Sequence, residues 1–415
     1  MNLRTVAIAV PILLLLAGCR QVEEAASSVK PVKAEQTATS LPDDSENLFN
    51  LPHGVVVTHR SGEMSLDSSA IQAVDSNTLS MWITPPDTVE ASMTFELPAK
   101  CRIDHVGLST PFGSPAASAR TIRYEWSEDG KDFHPLTTVR LEKPGPNQLF
   151  TAGPVEARFI RATTVETAGS TRQAAVALLE GRGQPLEPPA IGAVDGTWKL
   201  NNDSGSFGST GNRIAGTVRT TAGEMHLDGG LDGEMIRFVW MRGAEYGCGA
   251  MTVTPDSSTL NAVWWFRLWP APLFAGPSWF GRKEGSASVA PDSRLADEFL
   301  RRLGSYRLYG LHFENDGSLD SHANAAGLAF TAALIARYRT KSPRIVIHEF
   351  HQATAAENLR LAEKEVAALR EALAAHGIDL SVVQFVPAGS TKDLGPPESW
   401  IARLMESRAD LEIAR

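Results

Sequence analysis

Two short segments with the composition of linkers limit what this chain can fold into. Residues 181–190 are rich in glycine and proline, and residues 282–291 are small and polar; both compositions are typical of links between domains. The chain of 415 residues is also longer than one ordinary hydrophobic core can accommodate. We therefore predict three folded units, at residues 47–183, 191–282 and 295–415.

The first unit alternates apolar and polar residues in short runs that are separated by turn signals. Examples are Met93–Leu97, Ile103–Leu108 and Arg158–Ala162. Alternation with a period of two places the apolar side chains on one face of a strand. The pattern predicts an all-β sandwich for residues 47–183.

A string of motifs in this unit resembles the discoidin, or galactose-binding-like, jelly-roll family. The matching residues are Ala73–Thr78, Trp82, Phe95–Leu97, Tyr124–Phe133 and Ala157–Arg161. The resemblance implies a jelly-roll sandwich that binds sugars or lipids through loops at one end. Trp82 is then a candidate for stacking on a sugar ring. The alternative is a core position, because Trp82 stands between Met81 and Ile83 and a tryptophan with apolar neighbours is commonly buried.

The second unit, residues 191–282, also has the pattern of short strands punctuated by glycine. Its apolar runs include Trp198–Leu200, Met225–Leu227 and Met235–Trp240. The pattern predicts a second small β-domain, either an antiparallel barrel or a meander.

Large aromatic residues are concentrated near the end of this unit, between Trp264 and Phe280. One interpretation is an aromatic platform for glycans, with Trp269 and Trp279 as stacking candidates. The other is a plug inside the barrel or a contact between domains. Both interpretations remain open from the sequence.

After residue 305 the pattern changes to strands that alternate with amphipathic helices. The predicted helices are Ala323–Tyr338 and Ala356–His376, and the predicted strands are Leu308–Phe313, Arg344–His348, Leu380–Val386 and Leu411–Ile413. The third unit is therefore predicted to be an α+β domain.

The same residues resemble the C-terminal OmpA-like domain. Matching segments are Tyr309–Phe313, Gly317–Leu319, Val346–His348, Asn358, Leu361, Leu373–Ile378 and Leu411–Ile413. The resemblance implies noncovalent binding of peptidoglycan. In that family a carboxylate after the second strand and an arginine on the next helix bind the two charged ends of diaminopimelate.

At the two corresponding positions this chain has Phe350 and Glu365. One charge is lost and the other is reversed, although a zwitterion needs both an anion and a guanidinium. Nearby polar residues are the candidates to replace them in peptidoglycan binding: His348, Glu349, Asn358, Arg360 and Lys364. The alternative is a degenerate domain that serves as a scaffold or a protein contact.

The N-terminus carries Leu16-Ala17-Gly18-Cys19 behind a basic start and an apolar run. This arrangement resembles a bacterial lipoprotein signal peptide. The resemblance implies that residues 1–18 are removed and that Cys19 is acylated and held in the membrane. Residues 19–46 lack large apolar side chains and are predicted to be a flexible tether. Arg20 rather than Asp at the next position indicates the outer membrane, with the domains in the periplasm.

The formal net charge of −9, without any basic run, argues against nucleic acid as a partner. The chain has no phosphate loop, no nucleophile elbow and no cluster of Cys and His residues. The segment His348–His351 is one residue short of the zinc-protease motif HExxH. We expect neither catalysis nor a metal or other cofactor.

After signal cleavage and acylation, Cys101 and Cys248 are the remaining cysteines. They are either one disulfide or two buried thiols. Because they belong to different predicted units, we favour two thiols.

These observations predict a non-catalytic outer-membrane lipoprotein that links the membrane to peptidoglycan or to another envelope component. The alternative is a carbohydrate-recognition lipoprotein that acts through its two β-domains. In that case the C-terminal domain only positions the other two.

Overall fold

The first domain consists of eight strands in two antiparallel sheets. The structure is a computed structural model that describes residues 47–111, 116–169, 172–267, 276–350, 354–390 and 399–414. The strands are β1 (Val56–Arg60), β2 (Trp82–Ile83), β3 (Ser92–Ser109), β4 (Ala119–Ser127), β5 (His134–Arg140), β6 (Gln148–Thr167), β7 (Ala175–Val176) and β8 (Leu178–Pro185). The larger sheet has the order β1-β3-β6-β4-β5 with β8 also paired to β3, and β2 pairs with β7. The all-β prediction for this domain is confirmed.

The second domain is a closed barrel of eight antiparallel strands in sequential order. Its strands are β9 (Gly196–Leu200), β10 (Asp203–Thr210), β11 (Arg213–Thr220), β12 (Gly223–Asp232), β13 (Met235–Arg242), β14 (Glu245–Val253), β15 (Thr259–Phe266) and β16 (Ser278–Gly285). A barrel of this size has an interior just wide enough for side chains to fill. The structure thus selects the barrel over the meander.

Aromatic rings and glycines fit together inside the barrel. A Cβ atom on Gly216 would lie 2.2 Å from the Phe207 ring, and one on Gly249 would lie 2.3 Å from the Phe238 ring. The rings occupy the space that the glycines leave, so the barrel is filled largely by its own side chains.

The third domain combines a four-stranded mixed sheet with helices. Its elements are α1 (Arg294–Leu303), β17 (Ser305–Arg307), α2 (Ala325–Tyr338), β18 (Arg344–His348), α3 (Ala355–Ala375), β19 (Gln384–Pro387), α4 (Trp400–Glu406) and β20 (Arg408–Glu412). The sheet order is β17-β20-β18-β19, in which only β18 and β19 are parallel. An α+β domain is therefore present, and its two long helices and the strand β18 agree with the sequence pattern.

Local signals explain the bounds of α3. The side chain of Thr354 accepts a hydrogen bond from the backbone N–H of Glu357 at 3.2 Å, which caps the first turn. At the other end Gly377 adopts a left-handed backbone with φ +77°, and the N–H of Ile378 donates to the carbonyl of Leu373. This is a common way to end a helix.

Some predicted elements are wrong in detail. Residues 308–313 do not form a strand, and the short strand β17 precedes them. The chain turns at this point instead, because the N–H of Leu311 donates to the carbonyl of Leu308 at 3.0 Å. Only the second half of the predicted strand 380–386 is extended, as part of β19. The helices α1 and α4 were not predicted.

One continuous hydrophobic core connects all three domains. It includes Phe95 of the sandwich, Met241 and Trp265 on the outer face of the barrel, and Phe299 and Leu411 of the third domain. The barrel interior forms a second, separate core. The described residues belong to a single compact unit, so the two linker-like segments, 181–190 and 282–291, do not separate independent bodies.

Cys101 and Cys248 are separate buried thiols, as we favoured. Burial raises the pKa of each thiol to about 11, so both stay protonated near neutral pH. The signal peptide, Cys19 and the tether lie outside the described residues.

Candidate functional site

The polar residues proposed to replace Phe350 and Glu365 in peptidoglycan binding lie mostly in the interior of the third domain. His348, Glu349 and Asn358 are 1%, 4% and 5% exposed. Arg360 and Lys364 are exposed on the outer side of α3. The structure therefore separates the anionic and cationic candidates, because the carboxylate of Glu349 faces the interior and the two cations face solvent.

Glu365, at the position where the resemblance implies an arginine, is also buried. Burial and the neighbouring carboxylate of Glu349 raise the pKa of Glu365 to about 9. A hydrogen bond between the side chains of Glu365 and Glu349 also contributes to the raised pKa of Glu365. A buried, uncharged acid thus stands where a guanidinium is expected, and Phe350 stands where the carboxylate is expected.

Arg237 of the barrel strand β13 extends into this region of the third domain. Its Nη1 donates hydrogen bonds to the carbonyl of Leu404, at 2.7 Å, and to the carbonyl of Ser407. Its Nε lies 2.7 Å from a carboxylate oxygen of Asp232. The last carbonyls of α4 attract a cation because they have no partner within the helix. This face of the third domain is consequently an interface with the barrel.

A buried ionic network lies on the same sheet. Arg408 donates to Asp410 at 3.1 Å and to Glu406 at 2.8 Å, and His348 lies 3.5 Å from Asp410. Burial by itself would raise the pKa of Asp410, but the charges of Arg408, Arg307 and His348 lower it. Because these side chains are almost fully covered, the network forms no accessible site.

The tryptophans proposed to stack on sugars are covered as well. Trp82 is 1% exposed, and its indole N–H donates to the carbonyl of Gly62 at 3.0 Å. Trp279 is 2% exposed inside the barrel, with its ring 5.5 Å from that of Trp264. Neither ring presents a face to a ligand, and Trp269 lies outside the described residues. Trp264 and Trp279 help to fill the barrel interior, as the plug interpretation expects, and Trp265 lies in the core that the domains share.

An aromatic surface that the sequence pattern did not reveal lies on the sandwich. It comprises Trp126, Phe133 and His134 with the ion pair of Arg161 and Glu125, and we call it the Trp126 surface. Trp126 and His134 face each other across β4 and β5 with ring centroids 5.1 Å apart. Four of the five residues are partly exposed and His134 is exposed.

The ion pair of this surface has a defined geometry. Arg161 donates to both carboxylate oxygens of Glu125, each at 2.7 Å, and its guanidinium lies 4.2 Å from the centre of the Phe133 ring. Two parallel hydrogen bonds and a ring beneath the cation hold the side chains in place. The turn at Asp129-Gly130 could have indicated this pairing, because it brings the ends of β4 and β5 together.

Two recesses occur where domains meet. A groove of about 270 Å³ lies between the outer face of β11–β13 and the start of α1. A cavity of about 440 Å³ lies between the sandwich and the turn from β12 to β13. Cavities of a few hundred Å³ at domain boundaries are frequent positions for small ligands.

No group of three or more His, Cys, Asp or Glu side chains could hold a metal ion within the part of the chain that the structure describes. His351, the last residue of the HExxH-like segment, is outside that part. In the same residues, none of the helices has the length and apolar character needed to cross a membrane.

No protein-family model matches the chain, and no curated protein matches it. Among solved structures it is similar to CBM32-3 from a family 31 glycoside hydrolase of Clostridium perfringens, with 19% identity over 34% of this chain and 97% of that chain and a TM-score of 0.31. It is also similar to the C-terminal domain of a chitobiase from Bacteroides fragilis, with 17% identity over 32% of this chain and 96% of that chain and a TM-score of 0.30.

A third similar structure is the family 32 carbohydrate-binding module of Clostridium perfringens NanJ in complex with galactose. The identity is 16%, the alignment covers 32% of this chain and 97% of that chain, and the TM-score is 0.29. At these values we transfer neither a ligand nor an activity to this chain.

Proposed function

We propose that this protein is a non-catalytic carbohydrate-recognition lipoprotein that binds glycans through the Trp126 surface of its sandwich. The observation that carries the proposal is the combination of partly exposed rings with a bidentate ion pair at the end of the hairpin formed by β4 and β5. Aromatic rings offer apolar area in a rigid position. The Arg161–Glu125 pair offers hydrogen-bond donors and acceptors beside the Phe133 ring. A sugar ring, apolar on its C–H face and polar at its edge, fits this combination.

The sequence resemblance to the discoidin family supports the same domain as the binding unit. Its motif string includes Trp126 and Phe133. The ligand remains a glycan class rather than a named sugar, because a fold alone does not specify a ligand.

We do not assign peptidoglycan binding to the third domain. The two positions implied to bind diaminopimelate carry Phe350 and the buried Glu365. Arg237 of the barrel covers the neighbouring helix end. The third domain then acts as a structural partner of the two β-domains.

The proposal includes attachment to the outer membrane through acylated Cys19, which rests on the signal-peptide resemblance. Replacement of Cys19 by alanine is expected to move the protein from the membrane fraction to the soluble fraction. A variant that still sediments with membranes, and still incorporates labelled fatty acid, would contradict this part.

The binding surface is tested with the soluble Cys19→Ala chain on a glycan array, followed by calorimetry with the sugars that bind. We expect Trp126→Ala to weaken binding by at least about tenfold, because stacking on an aromatic ring is lost. Phe266→Ala is the matched control, since Phe266 is an aromatic residue on the barrel that is 46% exposed. The proposal fails if no glycan binds, or if Trp126→Ala binds as well as the control while remaining folded.

A further inference from the structure

A histidine that is partly open to solvent joins the third domain to the barrel. The imidazole Nδ1 of His312, in the segment before α2, contacts a carboxylate oxygen of Asp232 at the end of β12. The side chain of His312 is 32% exposed and that of Asp232 is 14% exposed. Protons can therefore reach the ring, and its interaction with the mostly covered carboxylate is stronger than it would be in bulk water.

Asp232 also connects this histidine to Arg237. Its other carboxylate oxygen lies 2.7 Å from Nε of Arg237, and Nη1 of that arginine donates to the carbonyls of Leu404 and Ser407. One carboxylate at the turn from β12 to β13 thus reaches the third domain directly through His312 and indirectly through Arg237.

Uncharged amides hold the backbone around His312. The N–H of His312 donates to Oδ1 of Asn324 at 2.7 Å, and its carbonyl accepts from Nδ2 of the same residue at 3.0 Å. Asn212, in the turn from β10 to β11, donates to the carbonyl of Gly310 at 2.7 Å. Amides do not titrate, whereas the charge of a histidine changes near neutral pH.

Three charged side chains act on the imidazole of His312. Asp232 and Glu314 favour its protonated form, and Arg237 opposes it. The hydrogen bond to Asp232 is the largest effect and outweighs the partial burial of the ring, so the pKa of His312 is raised above its ordinary value. The folded contact consequently holds the proton more tightly than the unfolded chain does.

We propose that His312, Asp232 and Arg237 form a pH-sensitive latch, which fastens the third domain to the barrel more tightly in mildly acidic than in alkaline solution. The protonated ring forms an ion pair with Asp232. This contribution is fully present below the ordinary pKa of histidine, about 6.5. It is lost as the pH rises through the raised pKa of the folded chain. The latch is distinct from the Trp126 surface and does not depend on glycan binding.

NMR titration of the His312 ring in the full soluble Cys19→Ala chain tests the charge coupling. The signal is identified by its absence in His312→Gln. We expect a midpoint above about 6.5 and a lower midpoint in Asp232→Asn, which keeps the shape of the side chain but removes its charge. Asp132→Asn, at an exposed turn of the sandwich, is the control and should leave the midpoint unchanged.

Hydrogen exchange of the His312 N–H measures the fastening itself, because this N–H is bound to Asn324 in the closed contact. After correction for the intrinsic exchange rate, its protection should decrease between about pH 5.5 and about pH 8.5. By linkage, the factor of decrease cannot exceed the factor by which the closed contact raises the proton affinity of the ring. The decrease should be smaller in His312→Gln, whose side chain has no proton to release in this range.

Three outcomes would overturn the proposal. The first is a midpoint at or below the ordinary pKa of histidine in the unmodified ring. The second is a midpoint that Asp232→Asn leaves as unchanged as Asp132→Asn does. The third is an equal decrease of protection with pH in His312→Gln and in the chain that retains His312, which would leave His312 with a structural role only.

Discussion

At the scale of single residues, the buried carboxyl of Glu365 makes the stability of the fold depend on pH. It is 3% exposed and adjoins Glu349. In the unfolded chain the same group has an ordinary pKa, so the folded chain holds a proton that the unfolded chain releases. Stability therefore decreases as the pH rises above the ordinary pKa, until the folded pKa is reached.

We predict that Glu365→Gln reduces this pH dependence. Glutamine cannot ionise and can still donate a hydrogen bond to Glu349. Near pH 5 the free energies of unfolding of the variant and the unmodified chain should be similar. Toward pH 9 the unmodified chain should lose up to about 1.4 kcal/mol per pH unit relative to the variant. Urea unfolding at several pH values measures the difference.

Glu363→Gln is the control for this prediction, because Glu363 is exposed on the same helix. Its stability should follow the unmodified chain at every pH. Parallel curves for Glu365→Gln and the unmodified chain would show that Glu365 ionises in the folded protein as it does in the unfolded one.

At the scale of elements, the barrel depends on glycines beneath aromatic rings. We predict that Gly216→Ala destabilises the protein by about 1–3 kcal/mol, because the new methyl group overlaps the Phe207 ring. The cost should be smaller when Phe207 is also replaced by leucine, and a double-mutant cycle in urea unfolding measures this coupling.

A glycine in open space provides the comparison. Gly243 has φ +57° and no atom within 4 Å of its Cβ position, so Gly243→Asn should change stability little, since asparagine tolerates this backbone. The packing explanation would be excluded if Gly216→Ala lowered the free energy of unfolding by a similar amount with Phe207 present and with leucine in its place.

Barrel side chains bind the backbone at the edge of the sandwich sheet, and Asn261 makes two of these hydrogen bonds. Asn261 accepts a hydrogen bond from the N–H of Val57 at 2.5 Å and donates to its carbonyl at 3.1 Å. Val57 lies on β1 and is fully buried. The amide of Asn261 thus provides the partners that a neighbouring strand would provide.

We predict that Asn261→Ala costs about 1–3 kcal/mol for each backbone group left unpaired in the interior. Thermal unfolding followed by circular dichroism measures the loss. Asn202→Ala, at an exposed turn of the barrel, should leave the melting temperature almost unchanged. If both substitutions lowered the melting temperature by an equal, small amount, water would form the hydrogen bonds with the backbone of Val57 instead.

At the scale of the whole molecule, the shared core predicts that the three domains unfold together. Phe299 and Tyr306 of the third domain pack within the same core as Met241 and Tyr246 of the barrel. An isolated fragment of residues 290–415 would expose these rings to water, at a cost of roughly 25 cal/mol for each Å² of apolar surface.

Differential scanning calorimetry of the soluble chain should therefore show one cooperative transition. Arg237→Ala should shift that transition to lower temperature without splitting it, because it removes hydrogen bonds between the barrel and α4. Separate transitions, or a folded 290–415 fragment with a dispersed NMR spectrum, would contradict a common core.

The sequence by itself determined the elements whose signals are local. The alternation in 93–97 and 158–162 predicted strands, and the spacing of apolar residues with Gly377 behind them predicted α3. Strand and helix periods follow from backbone geometry, so a window of ten residues contains the information. The seven-residue helix α4 lacked such a window, and α1, although ten residues long, was also missed.

Only the tertiary structure decided which surfaces are accessible. Trp82 and Trp279 have the chemistry of sugar-stacking residues, yet both are covered, whereas Trp126 is partly exposed. Arg237 resembles any charged residue on a barrel strand, and nothing near it in sequence indicates the helix end that it binds. Burial and pairing depend on contacts between residues far apart in the chain, and these contacts arise only when the domains close upon one another.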